Sequence, residues 1–450
     1  MPCDRSSRST TRTESFPDQD DLWAASLFAV ATPKFQALRG TRDILTPDAE
    51  RHRSLVDVFA EQCRLAGYGH IMSPILEDLG VFLRVGESTD VVTKEMYDFQ
   101  DKDGKRIALR PELTASVVRA FVQHNPPSLP WKVWYEGPQF RHEKPQAGRY
   151  RQFSQVGVEV LGSDDPAVDV EVIAVGWRFY QRLGLTQVKL LLNSLGDESC
   201  RPEYFAALEE YLRDHAADLS EGSRDTLEKN PLRVLDSKRR EDQAIVSNAP
   251  LMVDYLTDDT AEHFAAVRSG LDELAITYEL SPRLVRGLDY YTRTTFEFAS
   301  TALENAQNAV GGGGRYDGLA ESLGGKPTPG IGFALGVDRI LLACDAENVF
   351  PAPNLAPDVF LVDLTGGSQA ALLADVLRRG GIAADRGFDG RSMKAQMKVA
   401  DRSGAPWAVI IGEDELTQGN VTLRDMHGDT GQTLLQRDEL LAALASRLAH

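Results

Sequence analysis

An α+β fold followed by a separate α/β domain is predicted by three features of this 450-residue sequence. Two stretches rich in aromatic and β-branched residues, Trp134 to Arg141 and Arg151 to Leu161, flank a polar loop and predict paired strands. A Thr-, Tyr- and Phe-rich segment, RGLDYYTRTTFEF from Arg286, predicts a further strand. After the proline-rich FPAPNLAP at 350–357, the chain alternates strand and helix over about 95 residues, enough for a compact domain. Length alone leaves room for about three domains.

Residues 1–33 begin with Ser, Thr and Arg and turn acidic at Asp18, Asp20 and Asp21. Those acids and the missing apolar core argue against a targeting peptide, so a disordered extension or a start codon placed too early is expected. Thr46-Pro47-Asp48 reads as a helix start, with a hydroxyl cap, proline at the first helical position and an acid at the positive dipole end. Leu55, Val56, Phe59, Ala60 and Cys63 recur at helical spacing, and Gly67 stops the pattern. HIMSPILE is extended, and Pro74 within it predicts an edge strand or an interface segment. From Lys94 to Arg110 a hairpin turns at 101–104, and Pro111 opens a helix through Val117, Val118 and Phe121. Asp165-Pro166 starts a helix that ends at Gly184, and VKLLLN is a buried strand. Residues 197 to about 280 are helical and charged, an inserted module with no site of its own. The glycines at 311–314 are readable as a flexible turn; beyond Pro329, GIGFALGVDRILLAC passes from strand to helix. In the last part DVFLVDL, GGIAADR and WAVIIG are strands, with helices from Ser368 and after Ser392. The layout is thus an extension (1–33), a main domain (34–349), a linker (350–357) and a C-terminal domain (358–450).

Composition removes several classes of function. No apolar run approaches the roughly 20 residues that cross a bilayer. The four cysteines are scattered and match neither a zinc site nor a disulfide framework, which fits a reducing, cytoplasmic setting. A formal charge of −18 argues against bulk electrostatic capture of nucleic acid, so the position of the basic residues matters more than their number. Arg141, Lys144, Arg149 and Arg151 stand against Glu143 alone, a local net charge of +3. Guanidinium forks suit phosphate oxygens, and a polyanion is their natural ligand; a solvated surface hairpin is the alternative. A second basic stripe follows Ser392. Lys394, Lys398 and Arg402 share one helix face beside an apolar stripe of Met393, Met397 and Ala400, with Gly404 as the stop. That stripe is either an RNA contact or a solvated face.

FRHE with GRYRQF, GIGFALGVDR, RGLDYYTRTTFEF, FSQVGVEVLG and GRSMKAQMKVADRSGA together resemble histidyl-tRNA synthetases, a family of class II aminoacyl-tRNA synthetases. The likeness runs from about Phe35 to the end. It implies an antiparallel sheet flanked by helices, a helical insertion within the catalytic domain, and an α/β anticodon-binding domain. It also implies that histidine attacks the ATP α-phosphate and that the histidyl group then passes to tRNA(His). ATP would enter as substrate with Mg2+ on its phosphates, and no protein-bound metal is expected.

By resemblance Arg141 and Arg286 are catalytic, Arg141 at the α-phosphate and Arg286 between it and the histidine carboxylate. Glu143, Arg149, Phe153 and Arg339 join Arg141 in binding ATP. Glu112, Leu113, Thr114, Gln155, Glu159, Arg286, Tyr290 and Tyr291 form the histidine pocket. There Glu159 takes the imidazole N–H and Tyr291 addresses the other ring nitrogen, as a ring with one donor and one acceptor requires. Leu113 stands where many relatives carry glycine, and tolerance is expected because the flanking Glu112 and Thr114 carry the chemistry, with a modest change in pocket packing as the alternative. Lys394, Lys398 and Arg402 contact tRNA. The family's dimer contact falls around Gly67 to Glu77, so a homodimer is expected. The alternative is a non-catalytic regulatory relative, which generally lacks the C-terminal domain and parts of the ATP site, whereas Arg141, Arg286, Arg339 and that domain are all present here.

Overall fold

A computed structural model describes residues 35–86, 91–237, 239–284, 290–304, 308–428 and 431–448. The expected 1–33 extension and Arg286 lie outside these residues. Two compact units form: residues up to 44 with 60–347, and residues 45–59 with 348–450.

The first unit is built on a large sheet. Its strands are β1 (Gly69–His70), β5 (Trp131–Phe140), β6 (Gln152–Leu161), β7 (Val188–Ser194), β8 (Glu279–Leu280), β9 (Thr292–Ser300), β10 (Ala309–Arg315) and β11 (Gly330–Gly336). Between them in the chain, β2 (Leu76–Asp78), β3 (Tyr97–Gln100) and β4 (Arg106–Leu109) make a separate three-stranded sheet. The large sheet runs β1-β5-β6-β11-β10-β9-β7-β8 among the described residues. From β5 to β7 every pairing is antiparallel, as expected; the two-residue edge strands β1 and β8 pair parallel. The centre is dry: Val156, Val158, Phe296, Phe298, Ile331 and Phe333 are buried. Helices Pro166–Arg182 and Val337–Glu347 pack on this sheet, the first opened by Asp165, whose carboxylate accepts from Ala167 N–H.

Three sequence readings are corrected here. The glycines at 311–314 are not a turn but the body of β10. A Cβ at Gly313 would stand 2.7 Å from Phe333 Cα, and one at Gly314 2.6 Å from the Thr294 carbonyl, so these strands pack closer than a side chain allows. Of the strand expected from Arg286, residues 286–289 lie outside the described residues, and Tyr290 and Tyr291 precede the strand Thr292–Ser300 rather than belong to it. The helix expected from Pro111 begins at Thr114, because Glu112 takes its first amides: Thr114 N–H at 2.7 Å and Ala115 N–H at 2.9 Å.

The insertion is helical as read: helices Arg201–Asp214, Glu221–Leu227 and Gln243–Asn248 surround a core of their own, and Asp258–Glu273 packs on helix Pro166–Arg182. Its last helix is tied to the main body through a buried ionic cluster. His263 Nε2 lies 2.9 Å from Asp169, whose other oxygen is 2.7 Å from the fully buried Arg315. Such a cluster is costly to break from one side, because the remaining charge stays buried.

In the second unit β12 (Val359–Asp363), β13 (Ala384–Arg386), β14 (Trp407–Ile411), β15 (Asn420–Asp425) and β16 (Gln432–Gln436) form one sheet in the order β13-β12-β14-β15-β16. The β15–β16 hairpin and helix Leu440–Leu448 were not read from the sequence, although the NVTLRD and QTLLQ pattern is strand-like.

Candidate active site

One face of the large sheet carries a cleft of about 940 Å3, counting its open mouth. Its walls come from β6, β9, β10 and β11, the loop between β5 and β6, the turn that opens helix Thr114–His124, and the start of helix Val337–Glu347. The β5–β6 hairpin places Arg141 and Arg149 at its base, since Arg141 N–H bonds the Arg151 carbonyl at 2.9 Å. Gly148 turns that loop at φ +69°, and a Cβ there would meet Leu342 at 2.9 Å.

Arg141, Arg149 and Arg339 converge on one end of the cleft. Arg141 donates to the Pro111 carbonyl at 2.9 Å, and its guanidinium lies 5.4 Å from the Phe153 ring centre. Arg149 reaches Glu143 at 3.4 Å, and its buried Nε has no hydrogen-bond partner among the described residues. Arg339 donates to the carbonyls of Gly148 at 3.2 Å and Ala309 at 2.9 Å. Burial, followed by repulsion from Arg149 and Arg141, pulls the Arg339 guanidinium below its ordinary pKa. Clustered cations at this cost are what an anionic ligand relieves. Arg42, which no sequence signal singled out, lies 4.2 Å over the Tyr150 ring and pairs at 2.7 Å with Asp338 on the cleft wall.

The other end is lined by Glu112, Thr114, Gln155, Tyr290 and Tyr291. Burial pushes the Glu112 carboxyl upward against the two backbone amides that hold it. Among the described residues Gln155 Oε1 and the Tyr290 hydroxyl are buried without a hydrogen-bond partner, one acceptor and one amphoteric group. Two expectations fail in position. Leu113 does not face the cleft: it is buried among Val117, Val133 and Tyr135, because the residue between two inward polar neighbours points into the core. Glu159 is not an open acceptor either. It lies fully buried behind the lining, accepting from Thr114 Oγ1 at 2.7 Å, from the Tyr135 hydroxyl at 3.2 Å and from the Tyr316 hydroxyl. Burial outweighs those bonds and raises its carboxyl to about 8. Tyr135 and Tyr316 were missed, the first because it sits in a strand-like stretch that reads as core, the second because it follows the glycine run read as a turn. Glu297 on β9 also lines the cleft; a carboxylate amid Phe296 and Phe298 was its available signal.

A family model described as histidyl-tRNA synthetase matches residues 40–340. The chain belongs to the histidyl-tRNA synthetase family. A second model, described as an anticodon binding domain, matches residues 358–447. The histidine–tRNA ligase of Streptomyces coelicolor is 48% identical over 420 residues, covering 92% of this chain and 98% of that one. That of Rhodococcus erythropolis is 48% identical over 421 residues, with 92% and 99% covered. The apo S. aureus histidyl-tRNA synthetase superposes with a TM-score of 0.78 at 35% identity, covering 91% of this chain and all of that chain. A Bacillus halodurans chain titled ATP phosphoribosyltransferase regulatory subunit/histidyl-tRNA synthetase shares the fold alone, with a TM-score of 0.60, 21% identity and 82% of this chain covered.

The anticodon-domain match includes the basic helix, Met393–Ser403. Lys394, Lys398 and Arg402 are exposed along it. Its inner side differs from the expected stripe: Met397 and Ala400 pack inward, but Met393 is 40% exposed. The buried polar Gln396 takes the inner position instead, donating to the carbonyls of Asp363 and Arg391 and accepting from Asp363 N–H. Beyond the helix, Phe388 is exposed with the Arg386 guanidinium 4.3 Å above its ring. No helix among the described residues is long and apolar enough to cross a membrane.

Proposed function

We propose that this protein attaches L-histidine to tRNA(His) through a histidyl-adenylate, using the two ends of the cleft for ATP and histidine. The observation that carries the reading is the convergence of Arg141, Arg149 and Arg339 beside a pocket of tyrosine, glutamine and carboxylate groups. When the histidine carboxylate attacks the α-phosphorus, negative charge spreads over the phosphoryl oxygens and pyrophosphate leaves. Cations already fixed there stabilise that state without reorganising. Arg141, held by the Pro111 carbonyl, serves the α-phosphate; Arg149 and Arg339 serve the leaving phosphates, with Glu143 and Phe153 toward the base. Arg286, outside the described residues, would complete the charge at the reacting centre.

Glu112, Gln155 and Thr114 offer oxygens to the substrate ammonium, and Tyr290 and Tyr291 address the imidazole. Glu159 fixes the orientation of the Thr114 hydroxyl from behind. A site built around the ring's own donors and acceptors discriminates strongly, because an analogue leaves them unpaired. Among the described residues no group of three His, Cys, Asp or Glu is placed to hold a metal. Glu297 is a carboxylate of the cleft wall whose oxygens would suit magnesium carried on the phosphates. Lys394, Lys398 and Arg402 are assigned to the anticodon arm, and a homodimer is proposed through the segment Gly67 to Glu77, where Met72 is 83% exposed. The test is charging itself: labelled histidine should become acid-precipitable on tRNA(His) only with ATP. Failure of folded protein to charge it would contradict the reading.

A further inference from the structure

Just beyond Tyr291 the sheet is interrupted. Arg315 on β10 faces Thr292, yet its neighbour Gly314 faces Thr295, so Arg293 and Thr294 are two extra residues on β9. Arg293 sits at φ +49°, a left-handed conformation in which a non-glycine residue is strained and persists only where its surroundings hold it. A bulge of this kind re-aims the side chains next to it, and immediately before it stand Tyr290 and Tyr291, which precede the strand and line the cleft.

What holds the bulge is the turn leading from β7 into the insertion, and the insertion itself. Arg293 N–H donates to the Gly196 carbonyl at 2.7 Å, and Leu195 N–H donates to the Arg293 carbonyl at 2.7 Å. The Arg293 guanidinium is clamped between Asp197 at 3.1 Å and Asp259 at 2.7 Å, the latter on helix Asp258–Glu273. Arg201, the first residue of helix Arg201–Asp214, donates to the Tyr291 carbonyl at 2.8 Å. Both ends of the insertion thus grip the backbone that carries the two tyrosines. The three ATP-side arginines stand on other elements, the β5–β6 loop and helix Val337–Glu347.

We infer that Arg201 and Arg293 are positioning residues for histidine, through which the helical insertion sets the aim of Tyr290 and Tyr291. This rests on the histidine pocket proposed above. The consequence is a selective one: loosening the clamp weakens histidine and leaves ATP alone.

Histidine-dependent pyrophosphate exchange on the full-length protein tests it, with KM measured for each substrate. Arg201→Met and Arg293→Gly, the latter free of backbone strain, should raise the histidine KM by roughly tenfold, the scale of one lost charge-assisted hydrogen bond. The ATP KM should stay within about twofold under the same reasoning. Arg293→Lys should recover part of the loss, because a cation still reaches the two aspartates. Asp259→Asn, at a site 77% exposed and safe for folding, should shift histidine KM in the same direction by less. An unchanged histidine KM in all of these would overturn the inference, as would equal losses for both substrates accompanied by a lower Tm. Tyr291→Phe separates the two layers. If it raises the histidine KM while the arginine variants do not, the clamp is wrong and the pocket stands; if it does nothing, both fall.

Discussion

Arg141, Arg149 and Arg339 repel one another across the cleft, and that repulsion decides what the cleft prefers. Removing Arg141 should therefore cost far more in catalysis than in stability. We expect Arg141→Ala to slow pyrophosphate exchange by roughly 10²–10³-fold, the usual loss for one preorganised charge, with an unaltered circular dichroism spectrum. A loss below about fivefold would remove Arg141 from the α-phosphate. Glu159 gives a different signature. Its folded carboxyl is raised from 4.5 to about 8, so the native state holds a proton the unfolded chain has released. That contribution is complete below about pH 4.5 and disappears as pH rises toward about 8. Relative to Glu159→Gln, the parent should lose on the order of a few kcal/mol between pH 5 and pH 8 in urea unfolding; parallel pH profiles would contradict this. Arginines in motif-like surroundings were legible because few other residues recognise phosphate. The direction of Leu113 and the hydroxyl cage around Glu159 were not, since both depend on partners such as Tyr316, 157 positions away.

At the scale of elements, periodicity and caps carried most of the information. Asp165 opens its helix, and Gly404, at φ +74°, closes Met393–Ser403 as the sequence suggested. The glycine run failed as a turn because composition says nothing about how near another backbone will come. Gly313→Ala should accordingly lower stability by roughly 1–3 kcal/mol through overpacking against β11, measurable as a reduced Tm. A neutral result would mean that β10 and β11 can separate freely. Lys394→Ala with Lys398→Ala should weaken tRNA binding and reduce its salt slope by about two, one per lost phosphate contact. Because both side chains are exposed, stability should not change. Undiminished affinity with an unaltered slope would place the RNA elsewhere.

For the whole molecule, the sequence indicated the layering of sheet, helical insertion and C-terminal α/β unit, but not the strand order. β6 pairs with β11 across about 170 residues, a contact that local pattern cannot reveal. The bulge at Arg293 was equally hidden, because it arises where the insertion meets β9. These distant segments assemble one cleft, in which histidine is activated with ATP. The most direct measurement is exchange of labelled pyrophosphate into ATP, with each of the twenty amino acids supplied in turn. Exchange should appear with histidine alone; exchange with another amino acid, or none from freshly folded protein, would contradict the account.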